Sequence, residues 1–215
     1  MTLVKICGVT NLEDALAAVE AGADLLGFNF YRRSPRYVSP ADARSIAGRL
    51  PEPVEGVGVF VNEPADDVER IAREAGLGAV QLHGDETPEF CRALRGLKTI
   101  KALRVRRGFD AAACALYRVD AVLLDAYTAD AFGGTGHTFD WALARQARET
   151  IASLYLAGGL TPDNVAEAVG AVRPHAVDVC SGVETSPGRK SLQLMRRFVE
   201  RVREADEKQA ASTFT

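Results

Sequence analysis

The sequence has no C-x-x-C pair and no Cys/His cluster at zinc-ligand spacing; Cys7, Cys91, Cys114 and Cys180 are scattered along 215 residues. That removes small zinc domains and disulfide frameworks, and leaves a reduced, cytoplasmic protein as the expectation. No polybasic run interrupts the mixed charge, which sums to −3, so neither nucleic acid nor a membrane surface is an expected partner. No apolar stretch is long enough to cross a bilayer. The N-terminus runs straight into a strand-like segment instead of a basic and then apolar leader, so the chain is expected to be soluble and unexported. Nor does a G-x-G-x-x-G follow the first apolar run, which counts against the doubly wound dinucleotide-binding sheet, the main architectural alternative.

What is present is a regular alternation. Eight short apolar runs rich in branched residues, "LVKIC", "LLGFNF", "GVGVFV", "GAVQLHG", "TIKALRV", "DAVLLD", "SLYLAGG" and "AVDVCSG", are separated by amphipathic stretches. Several of those stretches open on helix-start signals: Thr10 with Glu13 as a capping box, and Ser39-Pro40, Glu63-Pro64, Thr87-Pro88 and Thr161-Pro162. Near-continuous apolar strands, each followed by a helix, are how a parallel sheet covered on its outer face reads. Eight such units in one chain of this length predict an α/β fold, a single (β/α)8 TIM barrel over residues 1–205. The polar stretch 206–215, "DEKQAASTFT", has no periodicity and is expected to be a disordered tail.

In such barrels chemistry collects where the strands end. Cys7 ends the first strand just before a glycine, and Asp125 ends the sixth. Partial burial there favours a neutral carboxyl, which suits a general acid, although capping a loop is the ordinary use of Asp. Buried cysteine is more often a small hydrophobe; what raises Cys7 is its company at the same rim. Gly158 and Gly159 after strand seven, and Ser181 and Gly182 after strand eight, read as turns whose backbone can approach a phosphate. Arg36, in "YRRSPRYVSP", is placed to grip a carboxylate, whereas Arg32 and Arg33 read as solvated. His83 and His137 are candidate liners, and glycines 133, 134 and 136 suggest a loop that closes over a ligand. Strand alternation adds a floor: Lys5 shares the parity of Cys7, Asp178 that of Cys180. Strands eight and one must adjoin for the barrel to close, so a buried Lys5–Asp178 pair is expected.

The stretches "KICGVTNLEDA", "GADLLGFNFYRRSPRYVSP", "VQLHGDE", "GGTGHTFDW", "AGGLTPDNV" and "VDVCSGVETSPGRK" together resemble the phosphoribosylanthranilate isomerase family of tryptophan biosynthesis, over nearly the whole chain. The resemblance implies an Amadori rearrangement of N-(5-phosphoribosyl)anthranilate without cofactor or metal. It carries the general base onto Cys7, the general acid onto Asp125 and carboxylate binding onto Arg36. Phosphate binding falls on the turns around Gly159, Ser181 and Gly182. His83, Gly158 and Asp178 complete the expected binding residues. Cys180 departs from the pattern, where the family often has serine. The expected partner is a small phosphosugar–anthranilate molecule, and the expected state a monomer or homodimer. Two other readings are an aminoaldose isomerase of histidine synthesis, which uses two aspartates, and a non-catalytic phospholigand sensor. Cysteine at position 7 counts against the first, and the joint presence of Cys7 and Asp125 against the second.

Overall fold

The computed structural model describes residues 1–106, 108–126 and 140–213, the side chains of 212 and 213 excepted. The chain runs β1 (Leu3–Cys7), α1 (Leu12–Ala21), β2 (Leu25–Asn29), α2 (Pro40–Ala47), β3 (Glu55–Phe60), α3 (Ala65–Ala75), β4 (Ala79–Leu82) and α4 (Pro88–Ala93). It continues with β5 (Lys98–Val105), a 3-10 helix (Ala111–Leu116), β6 (Ala121–Ala126), α5 (Trp141–Arg148), β7 (Leu154–Leu156), α6 (Val165–Val172) and β8 (Ala176–Val179). A short hairpin, β9 (Glu184–Ser186) and β10 (Arg189–Lys190), precedes the last helix, α7 (Leu192–Thr213). Strands β1 to β8 pair in parallel, each with the next, and β8 closes on β1. The eight apolar runs are the eight strands of a closed barrel.

Alternation along each strand divides the apolar side chains between two cores. Leu25, Val57, Ala79, Ile100, Leu123, Tyr155 and Ala176 fill the barrel interior. Val4, Ile6, Leu26, Phe28, Val80, Leu82, Leu124, Leu156 and Val177 point outward and pack against the helices.

The helix starts are partly as the sequence predicts. Ser39 and Thr87 cap α2 and α4, accepting from the N–H of Asp42 and Phe90, with Pro at the first helical position. For α1 the cap is Asn11, not Thr10: its side chain accepts from the Asp14 N–H, while the Thr10 hydroxyl donates to the Gly188 carbonyl. The Thr161-Pro162 pair forms a turn ahead of α6, which begins at Val165. Among the described residues, the fifth connection carries only the 3-10 helix, capped by Asp110.

A larger difference lies at the C-terminus. The expected tail from 206 is helical to Thr213, because α7 runs on without a break. Glu207, Lys208, Gln209, Ala210 and Ala211 are all good helix formers, and a helix already nucleated upstream extends through them at little cost. The extension is anchored: Asp206 accepts from the Thr2 N–H at 2.8 Å and the Thr2 hydroxyl at 2.7 Å, and Gln209 Nε2 donates to the Val169 carbonyl at 3.0 Å.

Candidate active site

The carboxyl ends of the strands surround a cavity of about 420 Å³, lined among others by Cys7, Arg36, His83, Asp125, Gly158, Gly159, Asp178 and Ser181. Of the residues singled out from the sequence, Gly182 does not line it; Gly182 packs against the Leu160 carbonyl so closely that a side chain there would collide. Arg33, read as solvated, reaches the rim. The glycine loop 133–136 and His137 lie outside the described residues.

The floor is the Lys5–Asp178 pair expected from strand parity. The two residues are in register across β1 and β8, and Lys5 Nζ donates to Asp178 Oδ1 at 2.9 Å. Burial alone disfavours both charges, yet Asp178 and Cys7 together hold the Lys5 ammonium firmly protonated. The Asp178 carboxyl is pushed up to about 6, chiefly by burial and further by Cys7, against the pull of Lys5.

Cys7 stands one layer above, at the end of β1. Its thiol is held well below its ordinary value: a hydrogen bond from Cys180 favours the thiolate most, burial opposes, and the charges of Lys5 and Lys190 add to the lowering. Cys180 is correspondingly raised, as the thiol that keeps its proton to donate it. Gly8 follows at φ 75°, where a side chain would meet Arg36 Cδ at 2.7 Å and Cys180 Sγ at 3.1 Å. The glycine turn after Cys7 therefore lets Arg36 and Cys180 close around the thiol. By contrast Cys91 and Cys114 are buried on the helical side, and burial raises both, Cys114 to about 11.

Across the mouth, Asp125 is the next-to-last residue of β6 and is 3% exposed. Its Oδ2 lies 3.0 Å from His83 Nε2, and His83 Nδ1 lies 2.8 Å from Gln81 Nε2. His83 is thus joined to the acid candidate instead of standing as an isolated liner.

Arg36 is fixed by Glu184. Its Nε donates to Oε1 at 2.9 Å and its Nη2 to Oε2 at 2.7 Å, leaving Nη1 with no hydrogen bond among the described residues. Lys190, whose side chain is fully buried, donates to the same Glu184 Oε1 at 2.8 Å and to the Cys180 carbonyl at 3.1 Å. Burial works against the Glu184 carboxylate, but Arg36 and Lys190 outweigh it and lower its pKa. Sequence reasoning singled out neither Glu184 nor Lys190. Only the "SGVETSPGRK" stretch as a whole drew notice, and nothing local marks a carboxylate that meets an arginine 148 positions away.

On the opposite side, Gly158 (φ 85°) and Gly159 (φ 64°) turn the chain after β7, and a side chain at 158 would strike the Ala126 N–H. Asn164 holds this turn, donating from Nδ2 to the Gly159 carbonyl at 2.9 Å and accepting the Thr161 N–H at 2.8 Å. Ser181 opens a one-turn 3-10 helix beside it. The leading N–H groups of such a turn have no partner within it, which suits an anion. The cavity thus offers a thiol with a lowered pKa from β1 and a carboxyl from β6, a guanidinium edge and a backbone turn.

Comparison with known proteins agrees over nearly the whole length. Residues 4–201 match the family model described as N-(5'-phosphoribosyl)anthranilate (PRA) isomerase. The chain is 52% identical over 205 residues to the N-(5'-phosphoribosyl)anthranilate isomerase of Trichlorobacter lovleyi, covering 95% of this chain and all of the relative. Among solved structures, the phosphoribosyl anthranilate isomerase of Thermotoga maritima superposes with a TM-score of 0.89 at 46% identity, over 95% of this chain and all of that one. A phosphoribosyl anthranilate isomerase in complex with reduced 1-(o-carboxyphenylamino)-1-deoxyribulose 5-phosphate gives 0.86 at 45%, with the same coverage. A family model spanning nearly every described strand and helix, and relatives at about half identity over their full length, place this chain in the N-(5'-phosphoribosyl)anthranilate isomerase family.

Proposed function

We propose that this protein converts N-(5'-phosphoribosyl)anthranilate to 1-(2-carboxyphenylamino)-1-deoxyribulose 5-phosphate in tryptophan biosynthesis, with Asp125 as general acid and Cys7 as general base. The observation that carries the assignment of roles is the placement of a stabilised thiolate on β1 and a buried carboxyl on β6 around one cavity. Asp125 protonates the furanose ring oxygen, the ring carbon–oxygen bond breaks, and an iminium forms at C1. The iminium acidifies the neighbouring C2–H. Cys7 thiolate takes that proton, giving a neutral enolamine that tautomerises to the ketose. The proton gained by Cys7 balances the one given by Asp125.

Cys180, Lys5 and Lys190 keep Cys7 as the thiolate that this step needs. Arg36 holds the anthranilate carboxylate through its remaining edge, and the turns at Gly158–Gly159 and Ser181 hold the phosphate. His83 and Asp178 complete the site through Asp125 and Lys5, and Gly182 serves by letting the two phosphate turns approach. The chain works as a monomer or homodimer; one Thermotoga maritima relative is described as monomers generated from a dimeric enzyme. Four free cysteines fit a reducing cytoplasm.

The test is a fluorescence assay of purified protein with freshly prepared N-(5'-phosphoribosyl)anthranilate. Consumption of the substrate supports the reading. Binding of the product analogue without any turnover near neutral pH would return the phospholigand sensor.

A further inference from the structure

Gln81, on β4, has no exposed surface, and its Oε1 has no hydrogen-bond partner among the described residues. Stranding a carbonyl oxygen in a barrel interior is unfavourable, and a methionine would fill nearly the same volume without doing so. What the amide does provide is its other end. Gln81 and His83 share a strand parity, and Gln81 Nε2 lies 2.8 Å from His83 Nδ1. An N–H donor aimed at Nδ1 requires a lone pair there, so the single proton of the neutral ring sits on Nε2. From Nε2 it is directed at Asp125 Oδ2, 3.0 Å away. A second ring proton would have to occupy Nδ1, against the amide N–H.

This arrangement matters for an acid. A neutral ring donating from Nε2 fills one carboxyl oxygen and leaves the other to carry the proton.

We infer that Gln81 is a positioning residue acting through His83: it fixes the ring proton on Nε2, so that Asp125 accepts at Oδ2 and presents its transferable proton on Oδ1. The inference rests on the reading of Asp125 as the general acid. The charged groups around the pair leave this assignment to Gln81. Arg104, in register with Asp125 on β5, is joined to Asp85, and the Lys101–Glu86 pair is satisfied behind the β4 loop. Lys5 and Asp178 neutralise each other on the floor.

The experiment compares the full-length protein with Gln81→Glu and Gln81→Met. Nitrogen NMR on histidine-labelled protein reads the His83 tautomer, assigned with His83→Asn, alongside kcat, KM and thermal midpoint. The wild-type protein near neutral pH should show a bare Nδ1 and a protonated Nε2. In Gln81→Glu the carboxylate should draw a proton onto Nδ1, and kcat should fall about tenfold or more with KM little changed. Gln81→Met should melt close to wild type, because removing the stranded oxygen offsets the loss of the donor to His83 Nδ1, yet lose kcat with a mixture of tautomers; this variant keeps the test decisive if the buried glutamate prevents folding. A wild-type His83 protonated on Nδ1, or a Gln81→Met protein with unchanged kcat and tautomer, would overturn the inference. Asp125→Asn separates the two claims. Full turnover in that variant sinks the acid role, whereas loss of turnover there with Gln81 variants at wild-type kcat sinks only the role of Gln81.

Discussion

Arg36 and Glu184 meet in a two-pronged ion pair, Nε to Oε1 at 2.9 Å and Nη2 to Oε2 at 2.7 Å, although 148 positions separate them. The pair fixes the plane of the guanidinium at the cavity wall, so its remaining edge is set before any ligand binds.

Arg36→Met should act on binding. The carboxylate it is proposed to hold is equally charged in substrate and transition state, so KM should rise while kcat changes little. A charge-assisted hydrogen bond contributes roughly 1.5–3 kcal/mol, which corresponds to about 10- to 100-fold in KM. Glu184→Gln should show the same pattern more weakly, since the amide still accepts from Arg36. Steady-state kinetics check both, and a large fall in kcat at unchanged KM would contradict the assignment.

Asp178→Asn keeps an oxygen that accepts from Lys5 and removes a carboxylate that burial disfavours, so urea unfolding near neutral pH should show a loss of no more than about 1 kcal/mol. The wild-type carboxyl also gives a pH signature. Its folded value, about 6, lies above that of an unfolded aspartate, so the folded state holds this proton where the unfolded chain has lost it. The stability it contributes is present at low pH and is lost as pH rises toward 6. The slope of stability against pH over roughly pH 4 to 6 should therefore be less negative in Asp178→Asn than in wild type; identical slopes would mean that Asp178 does not titrate there.

Removal of residues 206–215 should lower stability by about 1–3 kcal/mol, since Thr2 loses both hydrogen bonds to Asp206 and one of them satisfies a backbone N–H. Thermal unfolding of the shortened chain checks this, and an unchanged midpoint would show the last turns of α7 to be dispensable.

The contrast between that helix end and the barrel shows which information is local. Each strand advertises itself through a short run of mostly apolar residues, and strand parity located Lys5 opposite Asp178. The end of α7 carries no apolar periodicity. It is ordered by Asp206 reaching Thr2, a contact across 204 positions that no window of sequence contains. Glu184 and Lys190 were missed for the same reason, because their hairpin folds back onto Arg36 and Cys180 only in three dimensions. Gln81 was open to the parity argument that found Lys5: in "AVQLHG" it sits two positions before His83.

The four cysteines should separate by reactivity. Cys7 is lowered, whereas burial raises Cys91 and Cys114, and Cys180 is raised by donating to Cys7. Iodoacetamide near neutral pH should label Cys7 first, and its rate there should already be levelling off, where an ordinary thiol still gains about tenfold per pH unit up to roughly 8.5. Peptide mass spectrometry over a pH series reads this directly. Preferential labelling of Cys180 would reverse the donor and acceptor of the pair.

The thiolate of Cys7 as the base that removes the C2 proton is tested most directly by the turnover of Cys7→Ser on N-(5'-phosphoribosyl)anthranilate, with product-analogue affinity measured on the same sample. A hydroxyl fits the same space but stays protonated, so turnover should fall roughly 10²- to 10⁴-fold while the analogue binds nearly as before. A Cys7→Ser protein that turns over within a few-fold of wild type would contradict the account and place the base elsewhere in the cavity.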